Sequence, residues 1–163
     1  MTTSGHIVKA FDEELGQIRA LIAEMGGRAE QAIAGAMQAL LRRDLDGAAR
    51  IVEEDHRIDA LEAEVERQVV LFITLRAPMA DDLRDVIAAL KIAGIIERIG
   101  DYAKNIAKRV PLLHDARGIE ALSILPAMAN AAAGMVHDAL DAFAARDPQA
   151  AAAVSAGDRT VDD

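Results

Sequence analysis

Apolar residues recur through the first quarter of the chain at alternating spacings of four and three. The series consists of Phe11, Leu15, Ile18, Ile22, Met25, Ala29, Ala32 and Ala36. This spacing is the heptad seam of a helix that packs in a bundle. It predicts one long helix over residues 5 to 45, with low helix propensity at Gly26 and Gly27.

The composition favours closely packed helices and a cationic ligand. Hydrophobic residues make up 52% of the 163 residues but aromatic residues only 2%, whereas strands prefer aromatic and β-branched side chains. A net charge of −9 and the lack of a basic stripe argue against nucleic acid as a partner. The absence of cysteine excludes thiolate metal sites and is compatible with a cytoplasmic location. The longest apolar runs are too short to span a bilayer.

Three turn signals divide the first part of the chain into helices. The segment 44 to 47 ends the first helix. The second helix should end near Ala77, because a residue before proline avoids the helical conformation. Pro78 should itself begin the third helix, which Pro111 should stop. Three long helices joined by short turns must run up, down and up, so residues 1 to 113 are predicted to form an all-α three-helix bundle.

The chain then starts the same pattern again. A shift of 103 residues places Arg43-Asp44 on Arg146-Asp147, and it places Asp55 and Asp59 on Asp158 and Asp162. We interpret this as an internal repeat. Residues 119 to 163 are predicted to form an incomplete second repeat.

This second repeat should contain one full helix and the start of another. The full helix is predicted over residues 119 to 146, with a kink at Pro126, and the next begins after Pro148. The sequence resembles a two-repeat protein that is cut short, so the fourth helix should expose apolar surface and the chain should self-associate. The residues expected on that surface are Ile124, Leu125, Met128, Val136 and Leu140.

Two acidic motifs lie at equal distances from Pro78. The motif from Asp55 to Asp59 and the motif from Glu97 to Asp101 each carry a carboxylate at both ends, and each motif centre is 21 residues from Pro78. Residues i and i+4 share one face of a helix. In a hairpin that turns at Pro78, the four carboxylates would therefore converge, and like charges held this close repel unless a cation lies among them.

Two interpretations of these motifs are open. The first is a solvated charged face with Arg57 and Arg98 as counterions, in a purely structural helical module. The second is a metal site, which is favoured because Glu97 continues the packing stripe of Val86, Leu90 and Ala93, and because the motifs lie level. Oxygen ligands suit a divalent or trivalent ion such as Mg, Mn or Fe, and Zn is also compatible.

A carboxylate-bridged metal enzyme of the helical-bundle type is the alternative function. The chain has one Glu-x-x-His sequence, from Glu53 to His56, but such centres need this motif on two helices. The residues three before His114 and His137 are Pro111 and Gly134, so no second copy exists. We therefore expect His56 to be an ordinary histidine on a helix surface.

Four segments of the chain resemble the phosphate-uptake regulator family PhoU. They are Glu97-Arg-Ile-Gly-Asp-Tyr-Ala-Lys-Asn-Ile-Ala107, His6-Ile-Val-Lys-Ala-Phe-Asp-Glu-Glu-Leu15, Ala23-Glu-Met-Gly-Gly27 and Ala77-Pro-Met-Ala-Asp-Asp-Leu-Arg84. The resemblance implies a cytoplasmic, all-helical, often homodimeric protein of two three-helix repeats. It also implies a regulator without catalytic activity, which acts with the phosphate ABC transporter and its sensor histidine kinase to repress the phosphate-starvation response.

The resemblance further implies metal binding through paired acidic motifs. The implied ligands are Asp55, Asp59, Glu97 and Asp101 in the first repeat, and Asp158 and Asp162 in the second. The second repeat has no counterpart of Glu97 and Asp101, so its site should be incomplete unless a partner chain completes it.

Overall fold

The fold is all-α throughout the described residues. A computed structural model describes residues 3–113 and 123–157, with side chains from residue 10 onward, and it contains no strand in those ranges. The helices are α1 (Thr3–Arg42), α2 (Leu45–Glu54), α3 (His56–Arg76), α4 (Ala80–Ala107), α5 (Val110–Leu113), α6 (Leu125–Ala145) and α7 (Pro148–Gly157).

The first helix lies at the centre of the molecule and packs against α3, α4 and α6. Its predicted apolar seam is confirmed: Leu15, Ile18, Ile22, Met25, Ala29 and Ala36 are buried, and Phe11 and Ala32 are partly buried. Each large side chain removed from water in this way stabilises the fold by about 1.5–3 kcal/mol. The facing residues are Val65, Val69 and Phe72 of α3 and Val86, Ala89, Ala93 and Ile96 of α4.

The turn that follows α1 recurs after α6, at the spacing of the sequence repeat. Arg43 and Arg146 both have a positive φ, of 56° and 53°. In both turns the next backbone amide donates to the carbonyl oxygen five residues earlier, at 2.9 Å, which is the Schellman geometry. The side chains of Asp44 and Asp147 then accept amide hydrogen bonds from the following helix. The division of the chain into a first repeat over residues 1 to 113 and a partial second repeat over residues 119 to 163 stays a prediction.

The helix boundaries near the prolines differ from those expected. The second predicted helix ends at Arg76, close to its expected limit, but the third begins at Ala80 rather than at Pro78. Met79 is extended, with φ −122° and ψ 155°, and forms the N-cap. Pro111 does not stop α4, which already ends at Ala107; instead it lies in the first turn of α5, where its missing N–H costs nothing.

The second predicted helix is interrupted at Asp55. Its first part, α2, ends at Glu54 and its second part, α3, begins at His56, although Asp55 itself keeps a helical φ of −56° and ψ of −36°. The side chain of Asp55 makes no capping hydrogen bond to α3. The interruption falls on the first residue of the acidic motif.

The fourth predicted helix is described from Leu125 to Ala145, so Pro126 lies at its start and not at an internal position where it would kink the helix. Pro126 lies in the first turn of α6, where a proline does not disturb the helix. The helix α7 provides the expected start of the next element, whereas Asp158 and Asp162 lie outside the described residues. None of the described helices combines the length and the apolar character that a membrane crossing needs.

Contacts between α6 and the rest of the bundle involve both apolar and charged groups. Gly26 of α1 is buried, and a Cβ added there would overlap with Leu140 of α6. Asp85 of α4 binds Arg19 of α1 at 2.8 Å and also binds Arg146, which follows α6. These contacts hold α6 against the side of the three-helix bundle.

Candidate metal centre

Two glycines of α4 allow α3 to approach closely beside the acidic motifs. A Cβ added at Gly100 would lie 2.8 Å from Ile58 Cδ1 and 3.4 Å from Asp55 Oδ1, and a Cβ added at Gly94 would lie 3.4 Å from Glu62 Oε1. The two helices are therefore paired in the register that symmetry about Pro78 predicts.

This register brings five carboxylates together, which we call the carboxylate cluster: Asp55, Asp59, Glu62, Glu97 and Asp101. Burial of Glu97 raises the pKa of its carboxyl group, and the negative charges of Asp101, Glu62, Asp59 and Asp55 raise it further. Asp55 is buried, Glu97 and Glu62 are partly buried, and Asp59 is exposed. The charges of Asp55, Asp59 and Asp101 thus act on Glu97, and Glu62 adds a fourth negative charge near it.

A lysine lies between two members of the cluster. The Nζ atom of Lys104 is 2.5 Å from Asp55 Oδ2 and 2.9 Å from Asp101 Oδ1, so it donates one hydrogen bond across to the junction of α2 and α3 and one within α4. These two hydrogen bonds raise the pKa of the Lys104 ammonium above its usual value. Lys104 is therefore a charged cation that links α4 to the junction of α2 and α3.

The cluster has the donor atoms of a metal site, but two of its carboxylates, Asp55 and Asp101, hold this ammonium group. Carboxylate oxygens are suitable ligands for hard and borderline metal ions. Among the described side chains, however, no group of three or more His, Asp and Glu residues is placed to hold a metal ion. In this arrangement Lys104 takes the position of a cation between Asp55 and Asp101.

Sequence reasoning missed Glu62 and Lys104, although both carried a signal. Glu62 lies one turn after Asp59 and is as far from Pro78 as Gly94 is, so the hairpin symmetry could have found it. Lys104 lies three residues after Asp101, the spacing of a helix ion pair. That spacing alone could not reveal the contact with Asp55.

Three polar residues near the acidic motifs, His56, Tyr102 and Asn105, take no part in the cluster's hydrogen bonds to Lys104. His56 is exposed, and its ring contacts the carbonyl group of Glu53, as expected for a helix-surface histidine. Tyr102 is 58% exposed, and its hydroxyl accepts a hydrogen bond from Arg98. Asn105 is exposed.

The family model for the PhoU domain matches residues 22–110 of this chain, which is more than half of it. The chain belongs to the PhoU family. The matched segment contains Lys104 and all five residues of the carboxylate cluster. The relationship therefore covers the complete site that the structure describes.

Known PhoU proteins are similar to the chain in both sequence and structure. A phosphate-specific transport system accessory protein PhoU homolog from Zymomonas mobilis is 56% identical over 158 residues, which are 97% of this chain and 67% of the relative. The crystal structure of PhoU from Pseudomonas aeruginosa matches with a TM-score of 0.88 at 33% identity, and the match covers 93% of this chain and 73% of the Pseudomonas chain. The phosphate transport system regulatory protein PhoU from Streptococcus pneumoniae has a TM-score of 0.86 at 28% identity, with coverages of 93% and 72%.

Proposed function

We propose that this protein is a metal-binding regulator of phosphate uptake that represses the phosphate-starvation response. The observation that carries the proposal is the PhoU domain over residues 22–110, together with a 56% identical relative named as a phosphate-specific transport system accessory protein. Its partners would be the phosphate ABC transporter ATPase and the sensor histidine kinase, which it would meet in the cytoplasm as a homodimer.

We also propose that the protein acts without catalysis. The matched relatives are named as accessory or regulatory proteins, and this supports an adaptor role. The enzyme alternative needed a second Glu-x-x-His sequence, which the chain lacks. No observation on the described residues favours that alternative.

The proposed metal ligands are those that the sequence indicated. Asp55, Asp59, Glu97 and Asp101 would bind one ion, and Asp158 and Asp162 would contribute to a second site. The identity of the ion, among Fe, Mn, Mg and Zn, is set by the oxygen-only donor set and by supply in the cell. A bound ion would cross-link α3 to α4 and relieve the repulsion within the cluster.

The regulatory proposal is tested by deleting the gene in the organism that carries it. Transcription of phosphate-uptake genes should rise in phosphate-rich medium, because the repressing signal is lost. A plasmid copy of the gene should restore repression. Unchanged transcription in the deletion strain would contradict the regulatory role.

The metal proposal is tested by elemental analysis of the purified protein. Glu97→Ala combined with Asp101→Ala should lower the metal content, because two ligands are removed. Asp81→Ala combined with Asp82→Ala is the matched control, since both carboxylates lie in the first turn of the same helix, outside the cluster. Equal metal content in the two double variants would contradict a metal site at the cluster.

A further inference from the structure

Lys104 bridges two carboxylates that the proposed metal ion would also need. Its Nζ atom lies within hydrogen-bond distance of both Asp55 Oδ2 and Asp101 Oδ1. An ammonium group and a metal ion compete for the same oxygen lone pairs, and they repel each other as like charges. The two cations therefore cannot occupy the space between these carboxylates together.

The burial pattern makes Asp55 the residue that most needs a cation. The side chain of Asp55 is only 5% exposed, whereas that of Asp101 is 45% exposed. A buried carboxylate without a partner is strongly destabilising. Lys104 satisfies this carboxylate when no metal is bound, so the fold does not depend on metal to neutralise Asp55.

The ammonium group of Lys104 can reach solvent by a change of side-chain conformation. The side chain is 25% exposed, and rotation about the bonds of its four-carbon stem can carry the ammonium group outward. Its departure would leave Asp55 and Asp101 free on the face where Glu97, Asp59 and Glu62 already lie. Because no three of the described carboxylates are placed to hold an ion in the present arrangement, a metal ion that binds there would also draw their side chains inward.

We propose that Lys104 is the resident cation of the carboxylate cluster, and that a metal ion binds there only by displacing its ammonium group from Asp55 and Asp101. Lys104 thereby sets the metal affinity of the site and keeps the metal-free protein folded. This inference rests on the proposed metal-binding function. It assigns to Lys104 the role of a competing cation rather than that of a ligand.

The first test compares Mn²⁺ binding by the wild-type protein, Lys104→Met and Lys91→Met, measured by isothermal titration calorimetry. Lys104→Met should bind Mn²⁺ about tenfold more tightly or better, because a nearby positive charge and its competition are removed. Lys91→Met should bind like the wild type, since Lys91 is exposed on another side of α4. Without metal, Lys104→Met should unfold at a lower urea concentration than Lys91→Met, because Asp55 loses its partner.

Equal or weaker Mn²⁺ binding by Lys104→Met than by the wild type would overturn the displacement proposal and leave metal binding intact. Absence of Mn²⁺ binding in all three proteins would instead overturn the metal-binding function and the displacement proposal with it. The two failures are therefore distinguishable.

A second measurement needs only the wild-type protein. Acetylation of individual lysines by a reagent in solution, followed by mass spectrometry, reports how accessible each amine is. Mn²⁺ should increase the acetylation rate of Lys104, because the displaced amine reaches solvent, and should leave that of Lys91 unchanged. An unchanged rate at Lys104 under saturating Mn²⁺ would contradict displacement.

Discussion

Glu97 lies within the carboxylate cluster, where its negative charge is unfavourable. Burial and the surrounding carboxylates raise the pKa of its carboxyl group, so the folded protein holds a proton on Glu97 more strongly than the unfolded chain does. The charge of Glu97 therefore destabilises the metal-free fold above the raised pKa. This cost disappears as the pH falls below the usual value of 4.5.

Glu97→Gln should for this reason stabilise the metal-free protein while weakening metal binding. At neutral pH, with a chelator present, we expect the free energy of unfolding in urea to rise by about 0.5 kcal/mol. The gain should shrink as the pH falls through the raised pKa of Glu97 toward 4.5, because the folded wild-type protein then carries a protonated Glu97. Mn²⁺ affinity should fall, because one carboxylate ligand is lost.

Glu66→Gln is the control for this change. Glu66 is an exposed residue of α3 outside the cluster, so its neutralisation should change neither stability nor Mn²⁺ affinity appreciably. Destabilisation of the metal-free protein by Glu97→Gln would show that the charge of Glu97 is not a cost in the folded state.

For individual residues, the sequence predicted which carboxylates lie level on the two helices, but it did not predict that Lys104 lies between two of them. Helix periodicity and the position of Pro78 specify which residues of α3 and α4 are level, so the convergence of Asp55 with Glu97 followed from counting. The path of a flexible lysine side chain does not follow from counting. Whether Lys104 reaches Asp55 depends on how closely the helices approach at Gly100, and that distance is a property of packing.

Among the helices, Gly26 and Gly27 illustrate how packing determines the role of a residue. A Cβ added at Gly26 would overlap with Leu140 of α6, whereas nothing lies within 4 Å of one added at Gly27. Both glycines were expected only to weaken α1, since glycine has low helix propensity. In the structure, Gly26 is instead the place where α6 packs against α1.

Alanine substitutions should therefore have opposite effects at these two neighbouring positions. Gly27→Ala should raise the free energy of unfolding by about 0.5–1 kcal/mol through helix propensity. Gly26→Ala should lower it by about 1 kcal/mol, because the cost of overpacking against α6 exceeds that gain. Urea unfolding followed by circular dichroism measures both changes.

A double variant separates the contact from propensity. Leu140→Ala removes the atoms that the new methyl group would meet, so Gly26→Ala should be better tolerated in that background than in the wild type. Equal stabilisation by Gly26→Ala and Gly27→Ala in the wild type would contradict close packing of α6 on α1.

The boundaries of the helices were predictable only where the local sequence decides them. The turn after Arg42 followed from its composition, and the end of α3 followed from Pro78. The start of α4 did not, because Ala77 and Ala80 adopt left-handed φ values of 45° and 50°, which alanine rarely does. The local sequence therefore does not reveal where α4 begins.

Over the whole molecule, an apolar groove runs between α4 and α6. We call it the α4–α6 groove, and its two sections, which share the lining residues Ile99, Met135 and Val136, have volumes of about 480 Å³ and 300 Å³. Ile95 and Tyr102 are each 58% exposed, and Met128 is 41% exposed. Its principal lining residues are Ile92, Ile95, Ile99, Tyr102, Met128, Met135 and Val136.

The structure changes which residues form the apolar surface that was expected to drive self-association. Ile124 and Met128 are exposed, as the sequence suggested. Leu125 and Leu140 are partly buried, because they pack against buried residues of the core, and Val136 is partly buried along the α4–α6 groove. The apolar surface available to a second copy therefore includes α4 as well as α6.

We expect this chain to self-associate through the α4–α6 groove. Light scattering should give a mass that rises above 17.3 kDa with protein concentration. Ile95→Glu or Met128→Glu should lower the measured mass at a given concentration, because a charge would be buried at the contact. Leu75→Glu is the control, since Leu75 is 63% exposed but lies near the α3–α4 turn, outside the groove lining. Added salt should strengthen association by screening the net charge of −9 on each copy. A monomer at every concentration, or dissociation by Leu75→Glu instead, would contradict association at the groove.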